Sequence, residues 1–408
     1  MDTHTNNDQH TTALTTDPTP EHKIPFEFTG NAYDFFSVWI VTIVLTILTL
    51  GIYSPWAKVR IYQYFYGNTH LEGASFRYLA NPVQILKGRA IALAFFAAYY
   101  FSGLISPLAT GIIIVIIALL IPAMVVMSMS FQLRNTAYRN IKFNFQKNVK
   151  RAYIIFAYPL LFVVPYFLLI TYFQSDLQPD AVTDATITED KTEPTSAVIF
   201  LFIAFPLLII CLFPLWQYTI IKFKATHACF GESDFSFNGS IRGLYSIYLG
   251  ASLGALLLGL LVIGSFWAVF MPSGDENVTT LQSLFDIFSG FLIFGIFAII
   301  AIYLWMFAYI QTKKTNFIFG NLSIAEHRVQ SELKVGAMLY LYVTNTLAIA
   351  VSLGLLIPWS KIRVARYRAQ MTSIVGTDSL DNFLGTRPEG QSAFGEEMGE
   401  VFDMGLGV

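Results

Sequence analysis

The chain has 408 residues, of which 55% are hydrophobic and only 13% are charged, and its formal net charge at pH 7 is -2. An ordinary soluble domain carries about 25% charged residues, so this composition excludes a water-soluble globular protein. The high apolar content excludes a disordered chain, and the near-neutral charge argues against nucleic acid as a partner. The composition predicts a membrane protein.

Eight segments are long and apolar enough to be membrane helices, because a span needs about 20 mostly apolar residues. These segments are residues 35–57, 90–110, 111–131, 153–173, 196–221, 244–270, 287–310 and 336–359. The uncharged run 90–132 is too long for one span, and Gly103, Pro107 and Gly111 near its middle predict a helical hairpin. We therefore predict an all-α, polytopic helical membrane protein with six spans plus two similar apolar segments at its ends.

The distribution of Lys and Arg predicts the orientation of these segments. Four connections hold 18 of the 25 Lys and Arg residues, and they are residues 58–89, 132–152, 222–243 and 311–335. Because positively charged connections stay in the cytoplasm, these four are predicted to be cytoplasmic. The acidic connections 174–195 and 271–286 then face the opposite side, the periplasm.

The two end segments conflict with simple alternation. Eight full crossings would place Lys361, Arg363, Arg366 and Arg368 on the acidic side. In one interpretation, both end segments enter from the cytoplasmic face and return, or lie along the interface, so that both termini are inside. In the other, the first segment spans with an external N-terminus and only the last one does not cross. Both interpretations are open at the level of sequence.

The polar ends of the chain predict two tails around one membrane domain. Residues 1–25 are predicted to be a disordered polar tail without a cleavable signal peptide, because Lys23 is their only Lys or Arg. Residues 26–370 form the predicted polytopic membrane domain. Residues 371–408 are predicted to be an acidic C-terminal tail.

The chain contains internal repeats. Residues 49–60 match residues 352–363 at a constant offset of 303, and both copies carry the motif Pro-Trp-x-Lys-x-Arg. Three prolines each precede a phenylalanine by 21 residues, and these pairs are Pro55 with Phe76, Pro122 with Phe143 and Pro214 with Phe235. The repeats predict a unit of membrane helix, basic connection and short Phe/Tyr-rich stretch.

Several of these motifs together resemble a known family. They are Phe28-Thr29-Gly30, the LTLGIYSPWAKVR run from Leu48 to Arg60, the LGLLIPWSKIRVARYR run near the C-terminus and the acidic ending around Ala393 and Glu397. Over nearly the whole chain, the sequence resembles the YjgN family of bacterial inner-membrane proteins. The resemblance implies a multi-pass protein in the inner membrane of a Gram-negative bacterium. It implies no activity and no site residues, since the family has no established ones.

The apolar segments contain no internal Asp, Glu, Lys, Arg or His. This disfavours a proton-coupled antiporter or a charge-selective pump, which need ionisable groups in the membrane. The candidate polar residues in the membrane are Thr42, Thr46, Thr49 and Asn345. They indicate either a pathway for a neutral or amphipathic solute or hydrogen bonds between helices, and the second is the more common role.

The two Pro-Trp-x-Lys-x-Arg motifs are candidate interface or lipid anchors. Their side chains are Trp56, Lys58 and Arg60 in the first copy and Trp359, Lys361 and Arg363 in the second. An indole prefers the headgroup level of a bilayer, and neighbouring cations reach the phosphates. Binding of anionic lipid is the functional extension of this anchoring.

Motifs for catalysis and metal binding are weak. Two cysteines, Cys211 and Cys229, exclude a disulfide framework, and His227-Ala228-Cys229 is the only close His/Cys pair. No nucleophile motif or cofactor fingerprint occurs. We therefore expect no catalytic residue, no cofactor and no metal, and we do not expect an enzyme.

Two functions follow from these observations. The first is a passive channel or facilitator for neutral or amphipathic solutes, supported by the repeats and the neutral polar residues. The alternative is a membrane-organising or lipid-interacting scaffold without transport or catalytic activity, supported by the paired anchors. Membrane lipids are the expected partners in both cases, and the sequence assigns no oligomeric state.

Overall fold

The computed structural model describes residues 22–159, Tyr166, 196–270 and 281–376. Helices dominate this part of the chain, but ten short strands also join into a closed antiparallel β-barrel. The prediction of an all-α fold is therefore wrong. Most of the predicted segment 153–173 and of the two acidic connections lies outside the described residues.

The barrel is built from strands of three to seven residues. They are β1 (His22–Phe28), β2 (Thr69–Leu71), β3 (Ala74–Tyr78), β4 (Thr136–Tyr138), β5 (Ile141–Phe145), β6 (Ala228–Phe230), β7 (Ser233–Phe237), β8 (Leu322–Ile324), β9 (His327–Ser331) and β10 (Thr372–Gly376). Each strand pairs with the next along the chain, and β1 pairs with β10, with Ile24 opposite Ile374. The barrel therefore has no free edge strand.

Two-residue turns connect the strands within each hairpin of the barrel. In the turn between β2 and β3, Glu72 and Gly73 have φ angles of 47° and 73°. Arg139 and Asn140 between β4 and β5 have φ angles of 47° and 65°. Such left-handed pairs match the twist of antiparallel strands, which is why they make tight hairpins.

Between the hairpins of the barrel, the chain forms pairs of helices. They are α1 (Ala32–Leu48) with α2 (Ser54–Gly67), α3 (Pro82–Ile105) with α4 (Pro107–Arg134), α5 (149–159) with α6 (Ser196–Thr226), α7 (Ile241–Phe270) with α8 (Leu281–Gly320), and α9 (Val335–Val351) with α10 (Ile357–Gln370). Each pair and its two flanking strands form one unit. Five such units stand side by side around the barrel.

The units are equivalent residue by residue. Five strands lead into a helix pair, and the third residue after each of them is at an equivalent position. These residues are Asn31, Asn81, Asn148, Ser240 and Lys334. The side chains of the first four cap the helix that follows. The fourth residue beyond each of these is fully or almost fully buried, and these residues are Phe35, Ile85, Ala152, Leu244 and Met338. The weak proline repeat of the sequence follows the same units, with Pro55, Pro122, Pro214, Ala308 and Pro358 at equivalent positions.

Two of the helix pairs are short. In α1–α2 the chain reverses at residues 49–53, where Leu50 and Gly51 have φ angles of 49° and 91°. In α9–α10 the equivalent Leu353 and Gly354 have φ angles of 50° and 92°. The predicted segments 35–57 and 336–359 are thus each broken by a turn, after which the chain returns to the barrel. This reversal is what the interpretation with two returning end segments requires, and the membrane face from which they enter stays a prediction.

The other three pairs contain longer helices. Among the described residues, five helical stretches are long and apolar enough to cross a membrane, and they are Pro82–Ile105, Pro107–Arg134, Ile203–Thr226, Ile241–Ala268 and Leu292–Gly320. The helix α4 begins 15 residues before Pro122 and α2 begins one residue before Pro55, so α4 extends about 21 Å further. The helix α3 is seven residues longer than α1, which adds about 10 Å. The two end pairs are therefore short hairpins beside membrane-length ones.

Candidate functional site

The two short hairpins are neighbours in the ring of helices. Because β1 pairs with β10, the helix α1 packs against α10, and α2 packs against α3 on its other side. The two Pro-Trp-x-Lys-x-Arg motifs therefore lie next to each other, although 303 positions separate them in the sequence. We call this region the short-hairpin face, formed by α1, α2, α9, α10 and the start of α3.

The predicted tryptophan anchors lie near the tips of the short hairpins. Pro55 and Pro358 stand in the first turn of α2 and α10, and the tryptophans follow directly. Trp56 stacks on Tyr53, with 6.0 Å between ring centroids. Trp359 lies under the guanidinium of Arg363, with 4.4 Å to the ring centroid.

The two copies of the motif differ in how they use their arginine. Arg363 donates one hydrogen bond to the Thr344 hydroxyl at 2.9 Å and another to Oδ1 of Asn345 at 2.8 Å. In the first copy, Arg60 is exposed and lines a groove on the outer side of α1 and α2 together with Val38. The candidate Asn345 thus serves a contact between helices.

The three candidate threonines hydrogen-bond within their own helix. The hydroxyls of Thr42, Thr46 and Thr49 donate to the backbone carbonyls of Trp39, Thr42 and Leu45 at 2.7, 2.6 and 2.7 Å. A hydroxyl has one proton to donate. The arrangement is the back-bonding to the preceding helical turn that is usual for threonine in helices.

A cleft of about 500 Å³ opens at the short-hairpin face. Three basic side chains from three different helices line it, and they are Lys58 of α2, Arg89 of α3 and Lys361 of α10. Its other lining residues are Trp39, Thr42, Ile43, Thr46, Ile47, Ser54, Ala57, Ile61 and Tyr62. The cleft combines three cations with apolar walls, and none of its lining residues is acidic.

The cations of this cleft belong to a local network. The Arg89 guanidinium donates a hydrogen bond to the hydroxyl of Ser54, which ties α3 to the first turn of α2. The Lys58 ammonium lies over the Tyr62 ring, 5.5 Å from its centroid. Arg89 and Lys361 are exposed, and Lys58 is half-buried.

Of the three cations in this cleft, Arg89 is the one that the sequence did not single out as a candidate. It lies immediately before the apolar segment predicted over 90–110, so it was counted with a basic connection. In the structure, it stands about two turns inside α3. The signal that identifies it is the repeat, because the equivalent residues of the other four units are all aromatic, namely Trp39, Phe156, Tyr248 and Tyr342.

The barrel interior is filled by large side chains. Its buried residues are Ile24, Leu71, Tyr138, Phe230, Ile324 and Ile374, and Phe26, Phe76, Phe143 and Phe235 pack against them. The Tyr138 hydroxyl donates to the Leu71 carbonyl at 2.7 Å, so its polar end is satisfied inside the barrel. The barrel axis is a packed core.

The histidines and cysteines of the described chain form no cluster that could hold a metal ion. His70 is on β2, His327 is on β9 and His227 precedes β6, and within the described ranges no three His, Cys, Asp or Glu side chains come together. Burial lowers the pKa of the His227 imidazole, and the nearby Arg151 lowers it further against the opposing hydrogen bond to the Phe223 carbonyl. Burial also raises the pKa of the Cys229 thiol.

Comparison with known proteins agrees with the predicted resemblance. A family model described as a bacterial protein of unknown function, DUF898, matches residues 23–401. The chain is 26% identical to the inner membrane protein YjgN of Salmonella typhimurium over 88% of this chain and 91% of that protein. It is 28% identical to the inner membrane protein YjgN of Escherichia coli K12 over 36% of each chain. No solved structure matches.

The membrane-length helices and these relatives together confirm the predicted location. Five stretches of the described chain are long and apolar enough to span a bilayer, and the relatives are named inner membrane proteins. The protein is a multi-pass inner-membrane protein of bacterial type. With a family model that matches most of its length, the chain belongs to the DUF898 family of bacterial proteins of unknown function.

Proposed function

We propose that this protein binds and organises lipid of the inner membrane and does not conduct solutes along its barrel axis. The observation that carries the proposal is the pair of short hairpins. Leu50 and Leu353 at their turns are both 94% exposed, and the basic motifs follow one turn later. Exposed apolar tips above a row of cations are the pattern of segments that insert into one leaflet of a bilayer.

The depth of these hairpins supports this function. The second helix pair is longer than the first by about 10 Å in its first helix and about 21 Å in its second helix, which is a third to two thirds of the roughly 30 Å hydrocarbon core. The tips therefore stop short of crossing the hydrocarbon, and Lys58, Arg60, Lys361 and Arg363 stand at headgroup depth. Each cation near an anionic membrane surface contributes about 1 kcal/mol of binding.

A passive channel or facilitator for neutral or amphipathic solutes is the second candidate. Thr42 and Asn345 favour it, since they are buried polar residues at equivalent positions of neighbouring hairpins. However, a pore needs a continuous path lined by groups that replace the water around the solute. The aromatic core of the barrel and the hydrogen bonds of the threonines within α1 favour the lipid-interacting function instead.

The test uses the full chain reconstituted into vesicles and also purified in detergent. Native mass spectrometry would count the lipids that stay bound after exposure to a mixture of phosphatidylglycerol and phosphatidylcholine. A parallel assay would measure the flux of a panel of neutral and amphipathic solutes into the vesicles, with protein-free vesicles as control. We expect selective retention of phosphatidylglycerol and no flux above the control. A saturable flux without any lipid preference would overturn the proposal in favour of a facilitator.

A further inference from the structure

The cationic cleft of the short-hairpin face has a composition that points to one kind of ligand. Lys58, Arg89 and Lys361 line it from three helices, and its volume of about 500 Å³ suits a ligand of small-molecule size. Three cations that line one cleft attract an anion. The site therefore favours a ligand with a negatively charged group.

The repeat indicates that this concentration of charge is specific to one place in the ring. Lys58 and Lys361 are equivalent to each other, and the same position in the other units holds Val125, Gln217 and Gln311. Arg89 occupies a position that is aromatic in the four other units. The fold thus tolerates uncharged residues at all three positions, so packing alone does not require the three cations.

The apolar side of the cleft is formed by α1 and extends toward the tip of the first hairpin. Trp39, Ile43 and Ile47 are spaced along one side of α1, and all three line the cleft. Ile47, nearest the tip, is 68% exposed. A ligand that fits this surface has a charged end among the cations and an apolar part that extends along α1.

We propose that this cleft binds one anionic phospholipid of the surrounding leaflet, with the headgroup phosphate among Lys58, Arg89 and Lys361 and an acyl chain along Ile43 and Ile47. The Arg89 guanidinium offers paired donors to a phosphate, and the two ammonium groups act as point charges. The inference rests on the proposed lipid-binding function and assigns it to a site.

A bilayer lipid fits the cleft better than a free phosphate does. A free phosphate would use only the cations and would leave the apolar side along Ile43 and Ile47 uncovered. An acyl chain that covers these wall residues removes their apolar surface from contact with water and headgroups, which favours binding of the lipid. Competition with inorganic phosphate distinguishes a lipid headgroup from a free phosphate as the ligand.

The experiment uses the full chain in nanodiscs of phosphatidylcholine with a defined fraction of phosphatidylglycerol, and counts by native mass spectrometry the phosphatidylglycerol retained after delipidation. The test variants are Arg89→Gln and the double variant Lys58→Gln/Lys361→Gln. Arg89→Phe is a further variant that introduces the aromatic residue found at this position in the other units. It tests the loss of the cation in a side chain that the fold accommodates elsewhere. Lys142→Gln is the matched control, since Lys142 is an exposed cation on β5 of the barrel and does not line the cleft.

We expect about a 10-fold lower affinity for one retained phosphatidylglycerol in Arg89→Gln and Arg89→Phe, a larger loss in the double variant, and an unchanged value in Lys142→Gln. Millimolar inorganic phosphate should not displace the lipid from the wild type. If all variants retain the lipid as the wild type does, the cleft is not the site, although lipid binding itself stands. If the wild type shows no preference for phosphatidylglycerol, the proposed function fails as well. Displacement by inorganic phosphate would overturn the assignment of a lipid.

Discussion

The guanidinium of Arg363 donates a hydrogen bond to Oδ1 of Asn345 over 2.8 Å, from one helix of the second short hairpin to the other. Asn345 is buried, and the Arg363 guanidinium also lies over the Trp359 ring. At the equivalent position of the first hairpin stands Thr42, whose hydroxyl donates to its own helix. The two hairpins share a backbone design, and a charged hydrogen bond joins the two helices of the second.

Replacement of Asn345 with Ala should therefore destabilise the protein. A hydrogen bond to a charged group contributes about 1.5 to 3 kcal/mol, and the variant leaves a half-buried guanidinium with one acceptor fewer. The free energy of unfolding, or the thermal midpoint in detergent, measures the loss. The control is Thr42→Ala at the equivalent position, for which a smaller loss is expected. Equal losses in the two variants would show that the hydrogen bond from Arg363 to Asn345 adds no measurable stability.

The helices α7 and α8 are predicted to depend on one glycine and not on its neighbour. A Cβ atom built on Gly254 would lie 2.1 Å from the ring of Trp305, whereas one on Gly259 meets nothing within 4 Å. Gly254→Ala should cost about 1 to 3 kcal/mol through overpacking. Gly259→Ala should be neutral or stabilise by up to about 1 kcal/mol, because alanine favours helix. Thermal unfolding of both variants checks this, and an equally stable Gly254→Ala would contradict it.

Stability should fall with acidification through His227. Its pKa is lowered in the folded protein, mainly by burial, so below the ordinary value of about 6.5 the unfolded chain binds a proton that the folded chain does not. The stabilisation is present above that value and is lost as the pH falls toward the lowered folded pKa.

The matched variant is His227→Asn, because the equivalent residues Asn68, Asn135 and Asn321 make the same hydrogen bond to the carbonyl four residues earlier. This variant should keep its thermal midpoint at pH 7.5 and lose less stability than the wild type between pH 6.5 and pH 5. Identical pH profiles for the two proteins would exclude His227 as the cause.

The barrel core should be sensitive to loss of a single phenylalanine. The ring centroids of Phe143 and Phe230 lie 4.7 Å apart inside the barrel. The neighbouring side chain of Lys142 is exposed. Phe143→Ala should cost about 3 kcal/mol, as for other aromatic truncations in cores. Lys142→Ala should change the unfolding free energy by less than about 0.5 kcal/mol. A chemical unfolding series measures both, and equal effects would mean that the barrel interior contributes little.

The helical part of this fold was accessible from the sequence because membrane helices carry a strong signal. The long apolar runs and the turn predicted around Pro107 correspond to α3 and α4, which meet at Ser106. The barrel was missed because its strands are only three to seven residues long, too short for their alternation to stand out. Phe76, Phe143 and Phe235, each 21 residues after a proline, were visible as a repeat, and in the structure they pack in the barrel core.

The candidate site was accessible only in part, for a different reason. The sequence identified Lys58 and Lys361 as members of a repeated motif, but it gave no sign that they line one cleft. That proximity results from the pairing of β1 with β10, a contact between the two ends of the chain. Arg89 could be found only by aligning all five units, and this requires the barrel hairpins as reference points.

The pairing of Ile24 with Ile374 sets an order of events during synthesis. The membrane hairpins emerge from the ribosome one after another. The strand β1 can pair with β2 early, but it can pair with β10 only after almost the whole barrel sequence has been translated. Until then the growing sheet has two open edges, which are templates for pairing with other chains. A chain that stops before Thr372 would keep β1 and β9 uncovered and would be prone to aggregate at the membrane surface, even with every membrane helix in place.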